Sequence, residues 1–267
     1  MDFPNILCFN ASFAINDDMI DSSETRRGAP CWYLVDGIGM KAMCDVVLLE
    51  NSVYLLLRKH FSDLRCYIPA IELFHESIIK TSMCQSFDVL CTSDGVLQLN
   101  MFTMNKYNLI ATHKTAYCSI QLPITLALYL AGIDDPEIHK ESAIILSEMD
   151  RFFQVQDDFL DCFGDPTLTL KRGTDIENGK CTWMIVSALQ KVTPEQKQIL
   201  CDNYGKKDPK CVAAVRSLYE DLGIPNTYAI YEEENYNLIR NNIQKLSATL
   251  PHDLLYKILE MAYKRRA

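Results

Sequence analysis

Apolar residues recur along most of this chain three and four positions apart, the period of a helix buried on one side. Positions 46–61 are apolar at most places and hold no Gly or Pro, and that length suits a buried helix rather than a strand. The same period predicts helices over 71–90, 97–111, 114–131, 136–162, 182–191, 194–204, 209–222, 226–246 and 251–263. Asp134-Asp135-Pro136 and Thr193-Pro194-Glu195 read as helix starts, with Pro in the first turn and acids near the positive helix end. Breaks are expected at Arg27-Gly28-Ala29-Pro30, Asp36-Gly37, Gly164-Asp165-Pro166 and Gly223-Ile224-Pro225. With no internal repeat and no linker, the pattern predicts one all-α bundle of about ten helices over 1–267.

Composition narrows the function. Only 10 Gly and 10 Pro among 267 residues argue against an all-β chain, which needs more turns. The balance of 35 acidic to 26 basic residues, a formal charge of -9, excludes a general nucleic-acid surface. A small anionic substrate would need local cations or metal ions. The 11 cysteines are odd in number and form no C-x-x-C pair, so they read as reduced core residues of a cytoplasmic protein. The start, Met1-Asp2-Phe3-Pro4, lacks a signal-peptide pattern. The longest apolar stretch, 120–133, contains Gln121 and Pro123 and is too short to span a bilayer.

Two segments carry candidate chemistry. Asp17-Asp18-Met19-Ile20-Asp21 and Asp157-Asp158-Phe159-Leu160-Asp161 are both D-D-x-x-D. On a helix, Asp17 and Asp21 share a face, as do Asp157 and Asp161. Like charges one turn apart repel, and Mg²⁺ offsets this with carboxylate, water and phosphate oxygens. Phe13 and Asn10 precede the first pair at helical spacing, and Phe153 and Met149 the second. Two such helices facing each other would enclose an apolar pocket with an acidic, metal-binding mouth, suited to an apolar molecule with a polyphosphate head. Arg26 and Arg27 after the first motif, Lys171 after the second, and Lys114 supply cations for the remaining phosphate oxygens.

These residues resemble a known family. Asp17 to Gly28 with Pro30-Cys31-Trp32-Tyr33, Lys114-Thr115-Ala116, Gln154 to Pro166, Lys171, Gly173-Thr174-Asp175-Ile176, Lys180-Cys181-Thr182-Trp183 and Tyr263-Lys264-Arg265-Arg266 are similar to the farnesyl diphosphate synthases of animal type. The resemblance implies an isoprenoid synthase-type helical bundle around a central apolar cavity, a homodimer, and three Mg²⁺ ions per active site. It assigns catalysis to Asp17, Asp157, Lys114 and Thr115, and metal binding to Asp17, Asp18, Asp21, Asp157, Asp158 and Asp161. It assigns binding of an allylic prenyl diphosphate to Arg26, Arg27, Lys114, Gln154, Lys171, Lys180, Ser12, Phe13 and Gln85.

The chain also departs from that pattern. It begins inside what should be the helix of the first motif, so the family's N-terminal helices are expected to be missing. Asn10 stands where the family has Gln, and Ser12 with Phe13 where it has two aromatics. Ile79, Ser82 and Cys84 replace an aromatic, Glu and Gly, and Cys118 replaces a Tyr. The changed residues are those the family uses for its second substrate and pocket floor, while those for ionising an allylic diphosphate are kept. The leading expectation is therefore a terpene synthase resembling the insect enzymes derived from this family, turning a C15 allylic diphosphate into a sesquiterpene. The alternative is a prenyltransferase that also uses isopentenyl diphosphate. A third possibility is an inactive homologue that regulates a family enzyme.

Overall fold

The computed structural model describes residues 4–90, 98–113, 120–169 and 173–263. Among these residues the fold is all-α apart from one small hairpin. Twelve helices run in order: α1 (Pro4–Asp21), α2 (Ala42–Phe61), α3 (Tyr67–Leu90), α4 (Met104–His113), α5 (Leu122–Leu130), α6 (Pro136–Phe163), α7 (Pro166–Thr169), α8 (Trp183–Leu189), α9 (Pro194–Asn203), α10 (Pro209–Asp221), α11 (Ile224–Ile243) and α12 (His252–Ala262). Between α1 and α2, strands β1 (Thr25–Arg26) and β2 (Ala29–Pro30) pair antiparallel, with Arg26 opposite Ala29.

The helix starts follow the expected capping chemistry. Asp135 accepts the backbone N–H of Glu137 at the head of α6, and Thr193 forms a reciprocal capping box with Gln196 at the head of α9. Among the described residues, three apolar clusters hold the bundle. Phe9 of α1 packs with Val53 and Leu57 of α2, Phe74 of α3, and Leu122 and Leu126 of α5. Ile145, Leu146, Met149 and Phe152 of α6 pack with Ile239 and Ile243 of α11 and Leu255 and Leu259 of α12. Further along α6, Val155 and Cys162 join Tyr107 of α4, Trp183 and Ile185 of α8, and Tyr219 of α10. The 28-residue α6 thus spans two of the three clusters and fixes the second acidic motif rigidly at its end.

The structure differs from the periodicity at several helix ends: α2 and α3 each begin four residues before the expected start, at Ala42 and Tyr67, and of the helix expected over 114–131, α5 covers Leu122–Leu130 while 114–119 lie outside the described residues. The helix expected over 97–111 is broken. A 3-10 turn covers Leu99–Met101, and α4 starts only at Met104, where the Thr103 hydroxyl accepts the N–H of Lys106. A Thr side chain competes for backbone donors in this way, which favours a helix start over a helix interior. Helix α11 begins at Ile224, two residues earlier than expected, because Gly223 (φ 65) makes the turn itself and Pro225 fits the first helical turn. The break at 27–30 is a two-residue hairpin turn with Arg27 (φ 53) and Gly28 (φ 78) both left-handed, the type that matches strand twist. No described helix is long and apolar enough to cross a membrane.

Candidate active site

The first acidic motif closes α1. Asp18 is buried and accepts two hydrogen bonds from the Arg26 guanidinium, Nε to Oδ2 at 2.8 Å and Nη2 to Oδ1 at 2.7 Å. The hairpin produces this contact by turning the chain back so that Arg26 faces the helix it has just left. The same guanidinium lies 3.6 Å from Asp17 Oδ2. The hydrogen bond to Asp18 raises the Arg26 pKa, burial opposes this, and the charges of Asp18 and Asp17 add to the rise. Asp17 also accepts from Gln85 Nε2 of α3 at 3.2 Å.

The second motif closes α6. Asp158 is buried and accepts the backbone N–H of Trp183 at 2.7 Å and Gln154 Nε2 at 2.9 Å. Burial pushes its carboxyl up to about 7. The Trp183 and Gln154 donors oppose that rise, as does the nearby Tyr107 hydroxyl, which falls short of a full hydrogen bond. The charge of Asp157, an exposed neighbour, adds to the rise. Asp161 accepts the backbone N–H groups of Thr174 at 3.2 Å and Asp175 at 3.0 Å. Gly173 allows this close approach: a Cβ there would sit 1.8 Å from the Asp161 carbonyl oxygen.

Both motifs therefore hold one connecting segment, 173–183. Asp161 grips its start and Asp158 its end. From the other side, Asp21 of α1 pairs with Lys180 at 2.6 Å, with both side chains largely buried. Tyr204 donates to the Lys180 carbonyl at 2.7 Å and steadies that residue. A cleft of about 290 Å³ opens here, lined by Asp21, Ser22, Ser23, Glu24, Thr25, Thr174, Glu177, Asn178 and Lys207. Both acidic helix ends thus contact one shared loop, and of their acids Asp21 lines the cleft.

Other sequence candidates fall as follows. Ser12 is buried and its hydroxyl donates to the Phe9 carbonyl of its own helix at 2.7 Å. Phe13 meets Phe9 edge-on at 5.0 Å, and Phe9 meets Phe74 at 5.3 Å, so the apolar face below the first motif is aromatic despite Ser12. Cys84 is buried. Arg27 is exposed in the hairpin turn. Lys114, Thr115, Cys118, Lys171, Arg265 and Arg266 lie outside the described residues.

Among the described residues, no three His, Cys, Asp or Glu side chains gather closely enough to hold one ion. A pooled carboxylate cage is therefore not the arrangement these helices make. The donor set still suits Mg²⁺, which takes one or two carboxylates and fills its shell with water and substrate phosphate. The sequence reading quoted Gly173 and Trp183 within the family resemblance but gave them no role, and it missed Tyr107.

A family model described as polyprenyl synthetase matches residues 6–222. Among curated relatives, the chain is similar to the farnesyl pyrophosphate synthase of Gallus gallus, 43% identical over 258 residues, covering 97% of this chain and 70% of that one. The Rattus norvegicus farnesyl pyrophosphate synthase is 44% identical over 256 residues, covering 96% and 72%. The Murgantia histrionica farnesyl pyrophosphate synthase is 41% identical over 254 residues, covering 95% and 62%. Among solved structures, a T. brucei farnesyl diphosphate synthase complexed with a bisphosphonate superposes with a TM-score of 0.92 at 29% identity, covering 99% of this chain and 77% of that one. The chain belongs to the polyprenyl synthetase family, with the isoprenoid synthase helical fold. Its enzyme class is prenyltransferase of the isoprenyl diphosphate synthase type.

Proposed function

We propose that this protein condenses an allylic prenyl diphosphate with isopentenyl diphosphate, as a farnesyl diphosphate synthase-type prenyltransferase. This is the second of the two enzymatic readings of the sequence. Identities of 41–44% to farnesyl pyrophosphate synthases favour it over the sesquiterpene synthase. The observation that carries it is the mouth itself, where two D-D-x-x-D helix ends share one loop and Arg26 and Lys180 already lie against the acids.

Asp17 and Asp21 from α1, with Asp157 and Asp161 from α6, would hold Mg²⁺, three ions being the number the family resemblance implies. Bound there, Mg²⁺ neutralises the diphosphate and eases its departure. The chain's own residues do the rest. Arg26 and Lys180 bind diphosphate oxygens, in exchange for the carboxylates they now hold. Asp158, fixed by the Trp183 N–H and Gln154, keeps the end of α6 and segment 173–183 in register. Phe13, half-buried on α1 and backed by the buried Phe9, takes the hydrocarbon tail and excludes water from the allylic cation. The isopentenyl double bond attacks that cation, and loss of a proton completes the product.

The family's homodimer is part of this proposal, supported by Val47, Leu48 and Leu55, which α2 leaves exposed. A single domain over 1–267 and a cytoplasmic location belong to it too. The test is incubation with Mg²⁺, geranyl diphosphate and labelled isopentenyl diphosphate. Label in a C15 diphosphate supports the proposal. A volatile hydrocarbon formed without isopentenyl diphosphate supports the sesquiterpene synthase instead, a reading favoured by buried Ser12 in place of an aromatic floor residue.

A further inference from the structure

Asp17 and Asp21, the acids of the first motif that share one face of α1, are both covered by the protein's own side chains. Asp21 Oδ1 accepts from Lys180 Nζ at 2.6 Å. Asp17 accepts from Gln85 Nε2 at 3.2 Å and lies 3.6 Å from the Arg26 guanidinium. The two cations are placed differently. Arg26 is committed to buried Asp18 by two short bonds and reaches Asp17 at the longer distance, whereas Lys180 sits directly on Asp21. The Lys180 and Asp21 side chains are only 11% and 17% exposed, so solvent screens this pair little.

The backbone of Lys180 is fixed independently of the pair. Its N–H donates to the Asp175 carbonyl at 3.0 Å. Its own carbonyl accepts from the Tyr204 hydroxyl at 2.7 Å and from the Thr182 N–H at 3.1 Å. Movement is therefore confined to the side chain, an ammonium on a flexible four-carbon stem. Asp21 also lines the cleft of about 290 Å³, together with Ser22, Thr25, Thr174 and Asn178, so an ion from solvent reaches this carboxylate. A divalent cation that arrives alone meets the ammonium at the oxygen it needs. If Lys180 stays, the like charges repel. If Lys180 leaves, its charge loses its counter-ion in a poorly solvated place. A diphosphate removes both obstacles, because its oxygens accept the ammonium while the metal takes the carboxylate.

We propose that Lys180 is a built-in substitute for metal at the first motif, a switch that passes from Asp21 to diphosphate as Mg²⁺ replaces it, so that metal and diphosphate bind there as one coupled event. The inference rests on the prenyltransferase reading for the identity of its ligand. The coupling is reciprocal: the factor by which diphosphate raises metal affinity is the factor by which metal raises diphosphate affinity. Between turnovers Lys180 keeps Asp21 closed to metal alone, and it recaptures Asp21 once inorganic diphosphate leaves.

The experiment titrates the full chain with Mn²⁺, which takes the same oxygen ligands as Mg²⁺, and counts the unbound ion by electron paramagnetic resonance. Every protein carries Asp157→Asn, which weakens the second motif so that the signal reports the first. Without diphosphate, adding Lys180→Met is expected to tighten Mn²⁺ binding roughly tenfold, because the competing ammonium is gone. With saturating inorganic diphosphate, the parent is expected to tighten by at least about tenfold and the Lys180→Met protein by much less. Lys180→Arg keeps a cation on Asp21 and should restore weak metal-only binding. Lys207→Met removes an exposed charge from the same cleft and should shift metal-only affinity by less than about twofold. Lys180→Gln, which keeps a neutral donor for Asp21, carries the same expectation as Lys180→Met should that variant fail to fold. Equal metal-only affinity in the Lys180 variants and the parent overturns the proposal. Equal tightening by Lys207→Met also overturns it, since that marks a general charge effect. Absence of Mn²⁺ binding even with diphosphate removes the prenyltransferase reading as well. A coupled response without transfer of labelled isopentenyl units leaves the Lys180 switch standing and removes only that reading.

Discussion

Replacing Asp150 by Asn tests the burial of that carboxyl directly. The substitution keeps the shape and a polar group, and removes only the ability to ionise. In the folded protein, burial holds the carboxyl at about 9, against an ordinary aspartate value of 3.8. Between those two pH values the folded protein keeps a proton that the unfolded chain releases, so stability falls as pH rises through the window. At pH 7 the gap amounts to about 4 kcal/mol, taking about 1.4 kcal/mol per pH unit. Asp150→Asn escapes that loss. It should be more stable than the wild type by about 4 kcal/mol at pH 7, by about 2 at pH 5, and by less than about 1 at pH 4. In a chain of this size the gain at pH 7 is a rise in Tm of roughly 10 °C. Urea melts of both proteins at pH 4, 5, 6 and 7 give the difference, in which the shared carboxylates cancel. A difference that stays flat with pH would show that Asp150 ionises normally in the folded state, and would refute the reasoning.

Three further outcomes follow from the site. Gly173→Ala forces a Cβ to within 1.8 Å of the Asp161 carbonyl oxygen, so segment 173–183 must move. A loss of about 3 kcal/mol in urea melts is expected, with near-complete loss of turnover. Arg26→Met leaves buried Asp18 without its two charge-assisted bonds, and thermal melts should show a loss of about 2 kcal/mol, moderated by the exposure of the Arg26 side chain. Its diphosphate affinity, measured by calorimetry with inorganic diphosphate and Mg²⁺, should fall at least about tenfold. Removal of divalent metal with a chelator should abolish turnover and leave the far-UV circular dichroism unchanged, because Arg26 and Lys180 neutralise Asp18 and Asp21 without it.

Much of this architecture was legible in local pattern. Pro136 after Asp135 and Pro194 after Thr193 marked helix starts, because capping and proline geometry are properties of a few adjacent residues. The D-D-x-x-D repeats were legible for the same reason, since one helical turn decides which acids share a face. What each acid touches was not legible. Asp18 takes Arg26 only because Arg27 and Gly28 both adopt left-handed geometry and fold the chain back. Asp158 finds the Trp183 N–H, and Asp21 finds Lys180, across long loops that tertiary packing alone brings together. Periodicity ran straight through Thr103, where a single hydroxyl starts a new helix. Asp150 escaped notice because one acid in an amphipathic helix reads as a surface residue, and only the packing of α6 puts it inside.

The most direct measurement is the fate of isopentenyl diphosphate. With purified protein, Mg²⁺, geranyl diphosphate and ¹⁴C-isopentenyl diphosphate, label should move into a C15 diphosphate, and inorganic diphosphate should appear in equal amount. Substrate ionisation at the same rate with no label transferred would contradict the account.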